Sequence, residues 1–292
     1  MTPKVNVVTT VSAWPDALQV QRCLLNKYSR DSFSFIAVID TSPKANPWNL
    51  WDPELREKAR EVANIYCDEV IMMPEELHFD RQRIFPNTKI SKARYSNERA
   101  SDVLQYVFQK KILNSVTPCL IIDSDMFPIS SFSVLDSLSS KSFRGVTQSR
   151  SGRFNRFIEY YWNGILMFDP PHLEYLEEYS FDCGKVRGLR VDTGGQSFWW
   201  RKKMVEAGLG VKLGFIEHLS SLSWELNDYE GFMPEAIKSF IENDDRNQGK
   251  RLYCEIYDNT FLHFRAGSNW REESAEVVQN RNSKFLKSCL QQ

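Results

Sequence analysis

No window of the sequence approaches the roughly 20 uncharged apolar residues that a membrane span needs, so no integral membrane segment is expected. Neither sign of charge is in excess. Lys and Arg number 37 against 38 Asp and Glu, which leaves no electrostatic footprint for nucleic acid. The six cysteines (23, 67, 119, 183, 254 and 289) contain no Cys-x-x-Cys pair, and no Asn-x-Ser/Thr acceptor occurs. Met1-Thr2-Pro3-Lys4-Val5 runs directly into a strand-like stretch, without the layout of a signal peptide. The thiols are therefore expected to be reduced, several of them in the core, in a cytoplasmic protein. Internal repeats, low-complexity tracts and linker-like stretches are also missing, which argues for one domain. What is present is apolar: 42% hydrophobic and 13% aromatic residues suffice for a substantial core and exclude wholesale disorder.

The first half alternates strand and helix. Val5 to Val11 is rich in β-branched residues and reads as a buried strand. Pro15 and Asp16 suit a first helical turn, and Ala17, Val20, Leu24 and Tyr28 continue it at helical spacing. Phe33 to Ile39 is a second strand ending at Asp40, which makes a right-handed βαβ opening. Residues 43–52 form a turn-rich insertion, Pro53 to Tyr66 a helix and Glu69 to Met73 a third strand. Residues 74–97 are irregular and basic (Arg81, Arg83, Lys89, Lys92, Arg94), a length usually found in functional or disordered loops. A helix is expected from Asn97 to Asn114. Further strands are expected at 143–148, 160–169, 212–217, 252–257 and 260–264. Short helices are expected at 172–179 and 234–242, and another from about 197 to Gly208. Arg150, Arg153 and Arg156 read as a polar loop.

Between these elements lies Leu120-Ile121-Ile122-Asp123-Ser124-Asp125-Met126. An apolar run bounded by turn residues reads as a buried strand. If the backbone stays extended, Asp123 and Asp125 project to one side from its carboxyl end, where open α/β sheets bind ligands. Two close carboxylates repel unless a positive charge separates them, and a hard divalent cation is the simplest candidate; two solvated aspartates are the plain alternative. A second constellation is Phe261 to Trp270. His263 is either a core histidine or a ligand suited to manganese-like cations, and Gly267-Ser268-Asn269 could form an anion nest. Asp192, before Thr193-Gly194-Gly195, is a helix cap or a carboxylate facing a pocket. Asn163-Gly164 marks a bulge, or a close approach with Asn163 donating to a polar substrate. Arg99, with Arg94 and Lys92, could neutralise a phosphate.

Taken in chain order, these stretches resemble a glycosyltransferase of the GT-A fold, with Asp123-Ser124-Asp125 at its Asp-x-Asp motif. Within that fold the chain is most similar to the glycogenin-like and lipooligosaccharide galactosyltransferase-like group. Asn163 to Phe168, Asp192 to Gln196, and His263…Gly267…Trp270 take the places of that group's later motifs. His263 to Gly267 is one residue longer than in the group, and Ser268-Asn269 replaces its Lys-Pro, which leaves Arg265 as the substitute for the lost lysine. The resemblance implies a single α/β domain over 1–292 with a mainly parallel central sheet flanked by helices. Residues 1–125 would form the nucleotide-sugar half and 126–292 the acceptor half. It further implies that Asp123, Asp125 and His263 ligate Mn²⁺ or Mg²⁺. Thr9, Thr10 and Val11 would line the nucleotide base, with Asp40, Arg99, Ser124, Gly267 and Ser268 also on the donor, expected to be a UDP-sugar. Asp192, Asn163 and Gln196 would face the sugars and a glycan acceptor, making the chain a hexosyl- or pentosyltransferase. The rival readings are a haloacid-dehalogenase-like phosphohydrolase, a sugar-nucleotide pyrophosphorylase and a non-catalytic nucleotide-sugar-binding protein. In the first, Thr or Val stands two residues after the second aspartate, where Phe127 is found here; in the second, a Gly-x-Gly-x-Arg loop stands where this chain has Thr9-Thr10-Val11-Ser12.

Overall fold

Local sequence shapes the first half of the fold closely. In the computed structural model, which describes residues 4–40, 53–152, 156–265 and 274–291, β1 (Lys4–Val11) leads into α1 (Ala17–Tyr28) and β2 (Ser32–Ile39). α2 (Pro53–Tyr66) and β3 (Glu69–Met72) follow, then α3 (Ser96–Val107), a π-turn over Phe108–Ile112, and β4 (Cys119–Ile122). The insertion expected at 43–52 lies outside the described residues. After β4 come β5 (Met126–Pro128), α4 (Val134–Leu138), β6 (Phe143–Gly152) and β7 (Arg156–Phe168). The chain continues through β8 (Gly184–Val186), β9 (Leu189–Val191), α5 (Ser197–Glu206), β10 (Leu213–Phe215) and β11 (His218–Leu219). α6 (Glu235–Glu242), β12 (Glu255–Tyr257), β13 (Phe261–His263) and α7 (Ala275–Leu290) complete it.

The central sheet has the order β10-β6-β7-β4-β1-β2-β3, and β7 alone runs against the others. This is the mainly parallel α/β sheet expected. Its two apolar faces are covered by different helices. Val8, Ile36, Val38 and Ile121 pack against Val103, Leu104 and Val107 of α3 and Trp200 and Met204 of α5. Val7, Val11, Ala37 and Ile122 pack against Leu18 and Leu25 of α1, Ala59 and Ala63 of α2 and Leu138 of α4. A strand whose neighbours cover both faces has no polar side, which is why Cys119 to Ile122 reads as an unbroken apolar run.

A second, antiparallel sheet has the order β11-β12-β13-β5. α1 sits between the two sheets because it is apolar on two sides. Leu18 and Leu25 face the large sheet, whereas Ala17, Val20 and Leu24 join Phe127, Leu262 and Phe264 below the small one. α7 closes that core by stacking Phe285 on Phe264 at 4.2 Å between ring centres. Asp258 and Asn259 take the left-handed backbone, with φ of 47° and 52°, that a tight turn between β12 and β13 requires. Buried Cys119, Cys183, Cys254 and Cys289 fulfil the expectation of core thiols.

Several elements depart from the sequence reading. Arg150 lies within β6 and Arg156 opens β7, not a loop, because the two strands pair as far as Gly152 and Arg156, with Gly152 against Leu189 of the β8–β9 ribbon; Arg153 lies outside the described residues. The helix expected over 172–179 is two 3₁₀ turns, Pro170–His172 and Leu176–Glu178, with Tyr175 at φ 56° between them. Val116, three residues before β4, is 87% exposed and takes no part in the apolar run that leads to Asp123. Among the described residues no helix is long and apolar enough to cross a membrane.

Candidate metal centre

β4 ends at Ile122, and the backbone turns at once, with the Met126 amide donating to the Asp123 carbonyl at 3.1 Å. Asp123 and Asp125 therefore meet across a turn and not by alternation along an extended strand. Leaving the large sheet for the small one is what bends the chain here. Three hydrogen bonds hold the bend. The Asp123 amide donates to the Gly164 carbonyl of β7 (2.9 Å), and Gln21 of α1 donates to the carbonyls of Asp123 and Met126 (2.9 Å each). β5 then pairs with β13 so that His263 lies opposite Met126, and the Phe264 amide donates to the Asp125 carbonyl at 2.8 Å. That ladder carries His263 to the aspartates: its Nε2 is 3.2 Å from Asp125 Oδ1. One ligand atom each from Asp123, Asp125 and His263 lies within 4.8 Å of the others.

The charges in this cluster are unbalanced. Burial and the neighbouring Asp125 carboxylate push Asp123 up to about 7, against the pull of His263. Among the described residues the Asp123 carboxylate has no hydrogen-bond partner. Burial works to lower the His263 pKa, but Asp125 and Glu255 outweigh it and push it up to about 10. Burial likewise works to raise Glu255, yet its bond to His263 holds it down at about 2. A half-buried carboxylate without a donor, beside a second carboxylate and an imidazole, can be satisfied by a cation. Two carboxylates and one imidazole suit a manganese-like ion better than calcium.

The bulge in β7 serves this centre. The register between β6 and β7 shifts between Gly145 and Thr147, opposite Trp162 to Ile165. A Cβ on Gly164 would lie 1.9 Å from Trp162 Cη2, so the glycine lets the indole fold across its backbone. Trp162 then stacks on Tyr257 at 5.4 Å and lies 5.4 Å from the His263 ring. Asn163, next in β7, is buried, and Ser124 is buried within the turn.

The remaining expected residues are spread more widely. Thr9 and Val11 are fully buried on the α1 side of the sheet, whereas Thr10 is half-buried on the α3 side, the side of Asp40. Asp40 is engaged by the protein itself. His78 Nε2 lies 3.0 Å from one carboxylate oxygen, and Arg99 donates to the other at 2.9 Å. Asp40 thus anchors Arg99, whose Nε is buried and has no partner among the described residues. Lys92 and Arg94 are exposed. Asp192 is exposed, accepts from the amide of Thr193 (2.9 Å) and does not cap α5, which starts after Gln196. Gln196 donates to the carbonyls of Cys183 and Lys185 at 3.4 Å, tying the loop to β8. Gly194, at φ 82°, brings this loop against β7, where a Cβ would meet the Tyr161 carbonyl at 2.6 Å. Gly267 and Ser268 lie outside the described residues.

The basic stretch 74–97 is ordered by a buried ion network. His78 bridges Asp40 and Asp102 (2.9 Å), and Arg81 bridges Asp102 (2.5 Å) and Asp182 (2.8 Å). Burial opposes the charge on His78, but the two aspartates outweigh it and push its pKa up to about 9. A histidine raised in the folded state contributes stability that is complete below its ordinary pKa of 6.5 and is lost as pH rises through about 9. Urea unfolding is expected to weaken by about 2–3 kcal/mol between pH 6.5 and 9. His78→Gln should flatten that window, and an unchanged slope in the variant would refute the assignment.

Sequence reasoning missed Gln21, Glu255 and Tyr257. Gln21 had a signal, a polar side chain on the apolar face of α1. Glu255 had one too, an acid two residues before Tyr257 in a short strand, but its partner depends on how β12 meets β13.

No protein-family model and no curated protein matches the chain. Among solved structures it is similar to the mannosyltransferase Ktr4p from S. cerevisiae, at 9% identity and a TM-score of 0.37. That likeness covers 61% of this chain and 59% of that one.

Proposed function

We propose that this chain is a GT-A-type glycosyltransferase that moves a sugar from a nucleotide diphosphate, in the first place a UDP-sugar, to a hydroxyl of a glycan. The convergence of Asp123, Asp125 and His263 at the carboxyl end of β4 carries the reading. These three would hold a divalent cation, Mn²⁺ or Mg²⁺. When bound, such an ion supplies Lewis-acid stabilisation of a departing diphosphate, worth several kcal/mol. The protein's part is positional and electrostatic. Residues 1–125 would bind the donor: Thr10 and the backbone of Thr9 and Val11 at the base, Arg99 on its Asp40 anchor toward the phosphates, and Ser124 in the turn. Gly267 and Ser268 would complete that side. Residues 126–292 would bind the acceptor, with Asn163 and Gln196 orienting the sugars. Asp192 would take the acceptor proton if the anomeric centre inverts, or orient the sugar if it does not.

The test is a donor-hydrolysis screen of UDP- and GDP-sugars with Mn²⁺, scored as nucleotide release. Release that stops in excess chelator is expected. Phosphate released from a generic ester, or UDP and Mn²⁺ bound without turnover, would overturn the transferase reading in favour of a phosphohydrolase or a binding protein.

A further inference from the structure

We propose that Glu255 is a positioning residue for the metal centre, holding His263 so that Nε2 faces Asp125 and the cation. This rests on the reading of Asp123, Asp125 and His263 as ligands. An imidazole has two unlike nitrogens, and only one without a proton can ligate; which one is free is set by the bond the other makes. Here Nδ1 donates to Glu255 Oε2 at 2.8 Å, while Nε2 lies 3.2 Å from Asp125. A carboxylate only accepts, so Glu255 fixes a proton on Nδ1; Nε2, which faces Asp125 in the metal-free protein, is the nitrogen whose proton an arriving cation would displace.

Glu255 is itself held in place. Oε2 also accepts from the Tyr257 hydroxyl (2.7 Å), Oε1 accepts from the Ser221 amide (3.3 Å), and Arg265 Nε is 4.0 Å away. Its side chain is 14% exposed and that of His263 is 9% exposed, so water competes little for the bond. The hairpin provides the alignment. Glu255 and His263 are direct cross-strand partners in β12 and β13, which puts both side chains on one face. A slip of one residue would turn Glu255 away. Nothing in the packing of the small sheet requires an acid here: the neighbouring Ile256 and Leu262 belong to the apolar core on its other face.

Removing such an outer partner typically weakens metal affinity 10- to 100-fold. Calorimetric Mn²⁺ and Mg²⁺ titrations of the full chain and its Glu255→Leu, Glu255→Gln, His263→Ala and double Glu255→Leu/His263→Ala forms test the inference. Glu255→Leu should weaken Mn²⁺ binding by about 10- to 100-fold. Mg²⁺, which gains little from imidazole, should change much less. Glu255→Gln keeps an accepting oxygen and should lose less, and it carries the comparison if Glu255→Leu does not fold. The double variant should bind no more weakly than His263→Ala, because Glu255 acts through His263. Wild-type affinity in a folded Glu255→Leu, or additive losses in the cycle, would overturn the inference. Absence of Mn²⁺ binding in the wild type would instead overturn the metal reading itself.

Discussion

Asp125→Ala is expected to abolish Mn²⁺-dependent turnover of the donor, by about 10²-fold or more, while leaving a folded protein. A loss of several kcal/mol of Lewis-acid stabilisation corresponds to at least that factor. The side chain is the middle member of the cluster: it is 5% exposed, it approaches His263, and its charge raises Asp123. Removing it has opposing effects in the metal-free protein. His263 loses one of its two carboxylate partners, but Asp123 is relieved of a repelling neighbour and His263 keeps Glu255. These effects oppose each other, so Asp125→Ala should remain folded in chelator, as judged by a cooperative urea transition. With cation the two proteins should separate. A ligand at 100 times its Kd stabilises the folded state by about 2.7 kcal/mol, so Mn²⁺ should raise the unfolding midpoint of the wild type and leave that of Asp125→Ala unchanged. Equal turnover by both proteins, or full wild-type activity in excess chelator, would remove the metal assignment.

The largest effect on stability is expected at Arg81. Its side chain is fully buried, donates to Asp102 and Asp182, and lies over the ring of Phe85 at 4.9 Å. Arg81→Met keeps much of the volume but leaves two buried carboxylates without their shared cation. Breaking a buried pair from one side costs about 3–5 kcal/mol. Urea unfolding should show that loss, and the triple form Arg81→Met/Asp102→Asn/Asp182→Asn should recover more than half of it by removing the stranded charges. A cost under 1 kcal/mol for Arg81→Met alone would mean that the network does not hold the 74–95 segment. Because that segment carries His78 to Asp40, and Asp40 anchors Arg99, its loosening should also raise the KM for the donor.

Much of the first half was legible because its signals are local. The helix expected over Pro53 to Tyr66 is α2, and the strands expected at 5–11 and 33–39 begin one residue late relative to β1 and β2. β-branched runs and helical spacing act within a few residues, so no distant contact is needed to read them. Burial set from afar leaves no such local mark. Arg81 and His78 look like solvated members of a basic loop until Asp40, Asp102 and Asp182 converge on them. The β8–β9 ribbon is only three residues a side and is stabilised by Ile158 and Tyr160 of β7, so it has little signal of its own.

The candidate centre divides the same way. The sequence alone determined that two carboxylates follow a buried strand and that a histidine lies in a late one, because both depend on short apolar runs and their ends. The tertiary structure decided that the aspartates face each other through a turn, that β13 joins β5 and so brings His263 to Asp125, and that Glu255 lies behind the imidazole. Strand pairing between distant segments depends on long-range packing and register, which no local pattern encodes.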